Sequence, residues 1–162
     1  MAVKNTEGYD AKGTKALYQN GDRIETIVAR MEVAAADADT QTYILARGIS
    51  LDWTLVNLMI PRGFSAITSG TDYDIGLGYI GADGEVVVVE ADVFVDGKNM
   101  SAGATSAIDI CESPTDQTIG ECLATPLTSE NERKEYVIYC TANTVGSATV
   151  DVEFNINVNK AH

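Results

Sequence analysis

Apolar and polar residues alternate with a period of two along most of this chain. The clearest case is the last long segment, where Val150, Val152, Phe154, Ile156 and Val158 fall on one side and Asp151, Glu153, Asn155 and Asn157 on the other. Successive side chains of a strand point to opposite faces, so this pattern predicts a half-buried antiparallel strand. The runs IETIVARMEV from Ile24, QTYILARG from Gln41, WTLVNLMI from Trp53, YDIGLGYI from Tyr73, EVVVVEADVFV from Glu85 and KEYVIYCTA from Lys134 read as further strands. Pro61 closes the third of them. Gly81-Ala82-Asp83-Gly84 lies between two β-rich runs, and an Asp-Gly step there signals a hairpin; a second Asp-Gly follows at Asp96-Gly97. About eight short strands with closely spaced turns predict an all-β fold, a two-sheet antiparallel β-sandwich, jelly-roll-like or a related barrel. The expected core positions are Val28, Ile44, Leu55, Leu58, Ile75, Val87, Val93, Ile138, Val152, Phe154 and Ile156.

Two segments depart from this pattern. Ser113-Pro114-Thr115-Asp116 offers an N-cap and a first-turn proline, and Ile119, Cys122 and Leu123 follow at i, i+3, i+4 before Pro126, which predicts one short helix near 116–124. Residues 1–23 are polar, contain Gly8, Gly13 and Gly21, and show no periodicity. They read as an extended N-terminal arm of the kind that a partner orders, leaving 24–162 as the sandwich domain.

The charge follows the same division. The chain carries a formal net charge of −13, yet Lys4, Lys12, Lys15 and Arg23 outweigh Glu7, Asp10 and Asp22 in the first 23 residues, so the arm is at +1 and the body at −14. An acidic body repels phosphate backbones and so argues against a nucleic-acid partner. With 162 residues, the chain is expected to form one domain that buries about 68–70% of its unfolded surface without staples. The three cysteines, Cys111, Cys122 and Cys140, form no CxxC pair. Their odd number fits a reducing compartment, or one optional pairing, better than a disulfide framework. No apolar export signal and no membrane-spanning run is found, so synthesis in a cytoplasm and no membrane partner are expected.

Candidate chemistry is sparse. The only histidine is His162, at the end of the chain, which leaves no positioned imidazole for a Ser-His-Asp or Cys-His device or a His-rich metal site. Gly76-Leu77-Gly78-Tyr79-Ile80-Gly81 matches GxGxxG, but that motif holds a pyrophosphate only where it opens a helix, and here it lies in a strand. Glycines within a strand more often permit a bend or a close backbone approach. Asp72, Asp74 and Asp83, or Asp37 and Asp39, are clustered enough to consider calcium, without EF-hand spacing, and solvated turns are the simpler reading. Trp53 is expected to pack in the core rather than to serve as a sugar-stacking platform. No pair of carboxylates stands out for glycoside hydrolysis. The chain is therefore expected to be no enzyme, with no cofactor and no metal.

Taken together, YILARG (Tyr43 to Gly48), WTLVNLMI, SGTDYDIGLGYIGADGEVVVVEADVFVDG, DQTIGECLA and YVIYCTANTVGSATVDVEFNINV resemble a group of small tailed-bacteriophage virion proteins, over roughly residues 41–158. The most specific part is Gly70-Thr71-Asp72-Tyr73-Asp74-Ile75-Gly76-Leu77. The group's usual tyrosine after that leucine is displaced to Tyr79 by Gly78, a change that shifts a bulge. The resemblance implies a non-catalytic capsid decoration protein that binds the outer face of the major capsid lattice, stabilises the head and works as a homotrimer on the virion. The arm residues Lys4, Tyr9, Lys12, Lys15, Leu17 and Tyr18 are then the expected capsid contacts. Alternatives are another virion role, such as a head fibre base, a head–tail component or a minor tail protein, and a carbohydrate- or calcium-binding host-attachment module.

Overall fold

The computed structural model describes residues 3–5, 9–10, 23–34, 37, 40–67, 72–114, 116–125, 127, 134–142 and 149–160. Ten strands run in chain order: β1 (Val3–Asn5), β2 (Tyr9–Asp10), β3 (Arg23–Val33), β4 (Gln41–Ile49), β5 (Thr54–Ile60), β6 (Tyr73–Ile80), β7 (Val86–Lys98), β8 (Ile108–Asp109), β9 (Tyr136–Ala142) and β10 (Val150–Lys160). They form two five-stranded sheets, β1-β4-β9-β6-β7 and β2-β3-β10-β5-β8. All pairings are antiparallel except that of β1 with β4. From β3 onward the chain changes sheet at each step except between β6 and β7.

The all-β, two-sheet class expected from the alternating pattern is what the chain forms. Val152, Phe154, Ile156 and Val158 of β10 share one core cluster with Ala29, Met31 and Val33 of β3, Leu55 and Leu58 of β5, and Tyr43, Leu45, Ile75, Leu77, Ile138 and Cys140 of the other sheet. That shared interior is what holds two sheets face to face, since each buries one apolar side against the other. The longest uninterrupted ladder joins β10 to β3, from Val150↔Val33 to Lys160↔Arg23. Arg23 thus belongs to β3, one residue before the boundary drawn from the sequence.

Most of the expected core residues are buried, with four differences. Ile44 is buried but lies outside the main cluster, Val28 is only half-buried, and Val93 packs against the cluster from a partly buried position. Val87 is exposed, at 38%, because it sits near the tip of the β6–β7 hairpin on a border strand.

The short helix expected near 116–124 does not form: among the described residues this stretch is a series of turns and none is helical. A helical start signal is nevertheless present, at Thr118 rather than within Ser113–Asp116. Thr118 N and Oγ1 both donate to Glu121 Oε2, at 2.9 Å each, and Cys122 N donates to Thr118 O at 3.1 Å. This is a capping box. Its hydrogen bonds hold the Glu121 carboxyl below the usual range. The turn does not propagate because Ala124 N, which a continuing helix would bond to Gly120 O, donates instead to Glu90 Oε2 at 2.9 Å. A tertiary partner outcompetes a helix too short to be stable alone. Ile119 N and Gly120 N, which have no acceptor inside a first helical turn, are taken up by Trp53 O at 2.7 Å and Leu51 O at 2.9 Å.

Strand β7 is irregular, and the GxGxxG stretch explains how. Ile75 faces Val95 and Leu77 faces Glu90, so two steps on β6 oppose five on β7. The surplus residues bulge over the sheet, bringing the carbonyl oxygens of Glu90 and Ala91 to within 2.2 and 2.3 Å of where a side-chain carbon on Gly76 would stand. Gly76 is required there by close backbone approach. Gly84, at φ +83°, instead serves the hairpin turn, where Gly84 N donates to Gly81 O at 3.0 Å and Gly81 N to Glu85 O at 2.8 Å. The second Asp-Gly makes no turn; Gly97 lies inside β7 at φ +61° and donates to Asp74 Oδ1 at 2.8 Å.

Candidate interaction surface

The borders of a two-sheet fold are where it can meet another chain, because a border strand has backbone donors and acceptors on its outer side without a ladder partner. Here the borders are β1 and β7 for one sheet, β2 and β8 for the other. The N-terminal segment supplies two of the four. Lys4 stands in parallel register with Tyr43, and Tyr9 in antiparallel register with Val28. Of the arm residues singled out as contacts, Lys4 and Tyr9 therefore lie along opposite sheets, on the β4 and β3 sides. Lys12, Lys15, Leu17 and Tyr18 fall outside the described residues, as does His162.

The opposite border of the first sheet is β7, 13 residues long. Among the described residues no strand pairs with its outer side. Val87 and Val88, at 38% and 56% exposure, are two of the three large apolar side chains exposed among the described residues, Ile24 being the third. Acids surround the two valines: Asp83 and Glu85 in the hairpin turn, then Glu90, Asp92 and Asp96 along the strand. Two of these contribute to local structure, since Asp83 Oδ1 accepts from Glu85 N at 3.0 Å and Glu90 Oε2 accepts from Ala124 N at 2.9 Å. An apolar pair within an acidic border suits a partner strand carrying apolar and basic side chains. It disfavours another phosphate-rich or acidic surface.

Sequence reasoning missed this border because Val86 to Val89 are four consecutive β-branched residues. A run without alternation does not say which face is covered. The acids on both sides of it were the available signal.

The outer face of the second sheet carries a polar ladder. Thr26 Oγ1 donates to Asn157 Oδ1, and Asn157 Nδ2 donates to Asn57 Oδ1 at 2.6 Å, crossing β3, β10 and β5. Such cross-strand pairs fix register more than they create a reactive site.

The remaining candidates are absorbed by local structure. Trp53 is half-buried against the core, and Lys160 Nζ lies 4.0 Å from its ring centroid while also pairing with Glu25 at 2.8 Å. A cation over the indole occupies the face that a sugar would need. Asp37 Oδ2 accepts from Ala34 N at 2.9 Å and Tyr43 Oη at 2.8 Å, and Asp74 accepts from Gly97 N. Among the described residues no group of three or more His, Cys, Asp or Glu is placed to hold a metal ion, and no helix is long and apolar enough to cross a membrane.

These features define a class by architecture: an all-β protein of two packed sheets whose prominent surface features are strand borders and an acidic coat. A solved structure titled "Capsid of Ralstonia phage GP4" is similar in fold, with a TM-score of 0.60 over 99% of this chain and 100% of that chain, at 9% sequence identity. At that identity the likeness is one of fold. No family model matches the chain, and no curated protein matches it in sequence.

Proposed function

We propose that this chain is a structural protein of a tailed-phage virion, made in the bacterial host cytoplasm, that decorates the outer face of the capsid lattice, cements neighbouring capsid subunits and acts as a homotrimer without catalysis. The observation that carries this reading is the end-to-end likeness of fold to a phage capsid structure, which leaves almost no part of either chain unmatched. The resemblance of residues 41–158 to small tailed-phage virion proteins supports it independently. The strand order supports a jelly-roll description as well: β3-β10-β5-β8 and β4-β9-β6-β7 are the two four-stranded halves that a rolled-up double Greek key produces, an architecture common in viral shells.

A cement protein stabilises a shell by many modest contacts acting together, and attachment at several points raises avidity by roughly 10²–10⁴ over a single contact. Trimeric self-association matches a local three-fold axis of such a lattice. In this reading the arm, through Lys4, Tyr9, Lys12, Lys15, Leu17 and Tyr18, is the attachment element to the major capsid protein, and the acidic body faces solvent. The decisive experiment is a cryo-EM reconstruction of the native particle with this chain fitted into the map. Trimers on the outer shell are expected. Density for the chain only in the tail, the neck or a fibre would replace the decoration reading with another virion role, and absence from the particle would overturn both.

A further inference from the structure

Two of the three cysteines converge on one turn. Cys111 Sγ lies 3.5 Å from Ser113 Oγ and 3.9 Å from Ser113 O, while Cys122 Sγ lies 3.9 Å from Pro114 O. Both sulfurs thus sit against the same pair of consecutive residues, although Cys122 comes eight residues after Pro114 along the chain. The backbone holds them there from both sides. Ile110 N donates to Leu58 O at 2.9 Å and Glu112 N to Phe94 O at 2.8 Å, fixing Cys111 between β5 and β7; Ile119 N and Gly120 N, bonded to Trp53 O and Leu51 O, fix the turn that carries Cys122. Both cysteines are partly exposed, whereas Cys140 is fully buried in the core.

We propose that Cys111 and Cys122 are a redox-closable pair, which a low-molecular-weight disulfide converts to an intramolecular disulfide that ties the segment after β8 to the turn at 118–122. One cysteine thiolate attacks the small disulfide, breaks its S–S bond and releases one small thiol, leaving a mixed disulfide. The thiolate of the second cysteine then attacks the protein sulfur and expels the second small thiol. The two protons lost by the cysteines end on the two released thiols, so the protein loses two hydrogens and the oxidant is reduced by two electrons. Burial raises the Cys122 thiol above its ordinary value, with the nearby Cys111 the next contribution and Glu121 after it, so closure accelerates as the pH rises. Cys140 has no role in it, because burial raises its thiol further and no oxidant reaches it. The odd cysteine count thereby resolves into one closable pair and one core residue.

The test is mass spectrometry of the whole folded protein after incubation with oxidised glutathione and blocking of the remaining thiols. The expected product has lost about 2 Da and carries one blocked thiol, that of Cys140 after denaturation. No lysine or arginine lies between residues 99 and 132, so trypsin leaves both cysteines in one peptide; cleavage after Glu112 and Glu121 separates them. After that cleavage the two cysteine peptides are expected to remain joined until reduced. Cys111→Ser and Cys122→Ser should each take up one glutathione on the remaining partner, its thiol hydrogen exchanged for the glutathionyl group, and form no intramolecular disulfide. Stable glutathione adducts on both Cys111 and Cys122 of the unmodified protein, or both thiols still free while Cys140 stays protected, would overturn the proposal.

Discussion

The hydroxyl of Tyr43 donates a 2.8 Å hydrogen bond to the carboxylate of Asp37. Two other tyrosines in the same sheet are buried differently. The hydroxyls of Tyr73 and Tyr139 are enclosed with no hydrogen-bond partner among the described residues. A buried hydroxyl that bonds a carboxylate stabilises the fold, whereas one left unpaired carries its desolvation cost uncompensated. Tyr43→Phe is therefore expected to lower stability by about 1–2 kcal/mol. Tyr73→Phe and Tyr139→Phe should be neutral or stabilising by up to about 1 kcal/mol. Urea unfolding midpoints of the three variants measure the contrast, and equal losses at all three positions would refute it.

The same tyrosines set a response to alkali. Burial raises Tyr73 from an ordinary value near 10.0 to about 12, with Cys140 and Asp37 adding to the effect. Burial likewise raises Tyr139, with Asp74 and Asp92 next, and raises Tyr43, with the Asp37 hydrogen bond next; the Cys140 thiol moves the same way from near 9.0. Above pH 9 the unfolded chain releases protons that the folded chain retains, so stability falls with rising pH. These groups' contribution is complete below the ordinary thiol value of 9.0 and is progressively lost as the pH climbs past 10 and through the folded-state values. In a spectroscopic titration, tyrosinate absorbance of the buried tyrosines should appear together with loss of β-sheet circular dichroism. Full tyrosine ionisation with the sheet signal intact would contradict this.

Gly76 is expected to tolerate no side chain. A methyl group there meets the Glu90 and Ala91 carbonyl oxygens of the β7 bulge, and neither is a flexible side-chain end that swings aside. Gly76→Ala should cost about 2–3 kcal/mol, as overpacking against rigid surroundings does. At Gly84, with open space but φ +83°, Gly84→Ala should cost only about 1–2 kcal/mol of backbone strain. Thermal unfolding of the two variants separates a packing requirement from a conformational one.

These glycines also mark where the sequence was readable and where it was not. β10 was legible throughout, because each apolar residue from Val150 to Val158 faces the other sheet and each polar residue faces out. β7 was legible as a strand but not as a border with a bulge. Its surplus residues are recognisable only against the register of β6, which is a property of the pair. The helix failed for the same reason. Thr118 and Glu121 carry a sound local start signal, and what overrides it is the Glu90 carboxylate, 34 residues away in sequence, which takes the Ala124 N–H that a further turn needs. The strands β1, β2 and β8, of 2 or 3 residues each, are too short to show any periodicity. As for the surface, the charge split between arm and body was plain in the residues, while the exposed Val87 and Val88 became visible only once β7 had a place at the sheet border.

The final prediction concerns residues 2–20. The core side chains from Ile27 onward form one cluster among themselves, so a chain lacking 2–20 should still fold, with a cooperative unfolding transition and the near-ultraviolet spectrum of a packed Trp53. Two local effects are expected. Removal of β1 and β2 uncovers the outer sides of β4 and β3, and bare strand borders invite self-association, so the truncated chain should aggregate more readily at high concentration. If the chain decorates capsids as proposed, its attachment to capsids lacking the protein should fall sharply, because the deletion removes Lys4, Lys12 and Lys15 and leaves a body of net charge near −14 to meet the lattice alone. For the intact chain, attachment through those lysines should weaken as added salt shortens the screening length from about 10 Å at 0.1 M. Gel densitometry of repurified particles measures occupancy in both experiments. A truncated chain that folds and still reaches full occupancy would assign attachment to the sandwich itself, with the exposed β7 border as the next surface to mutate.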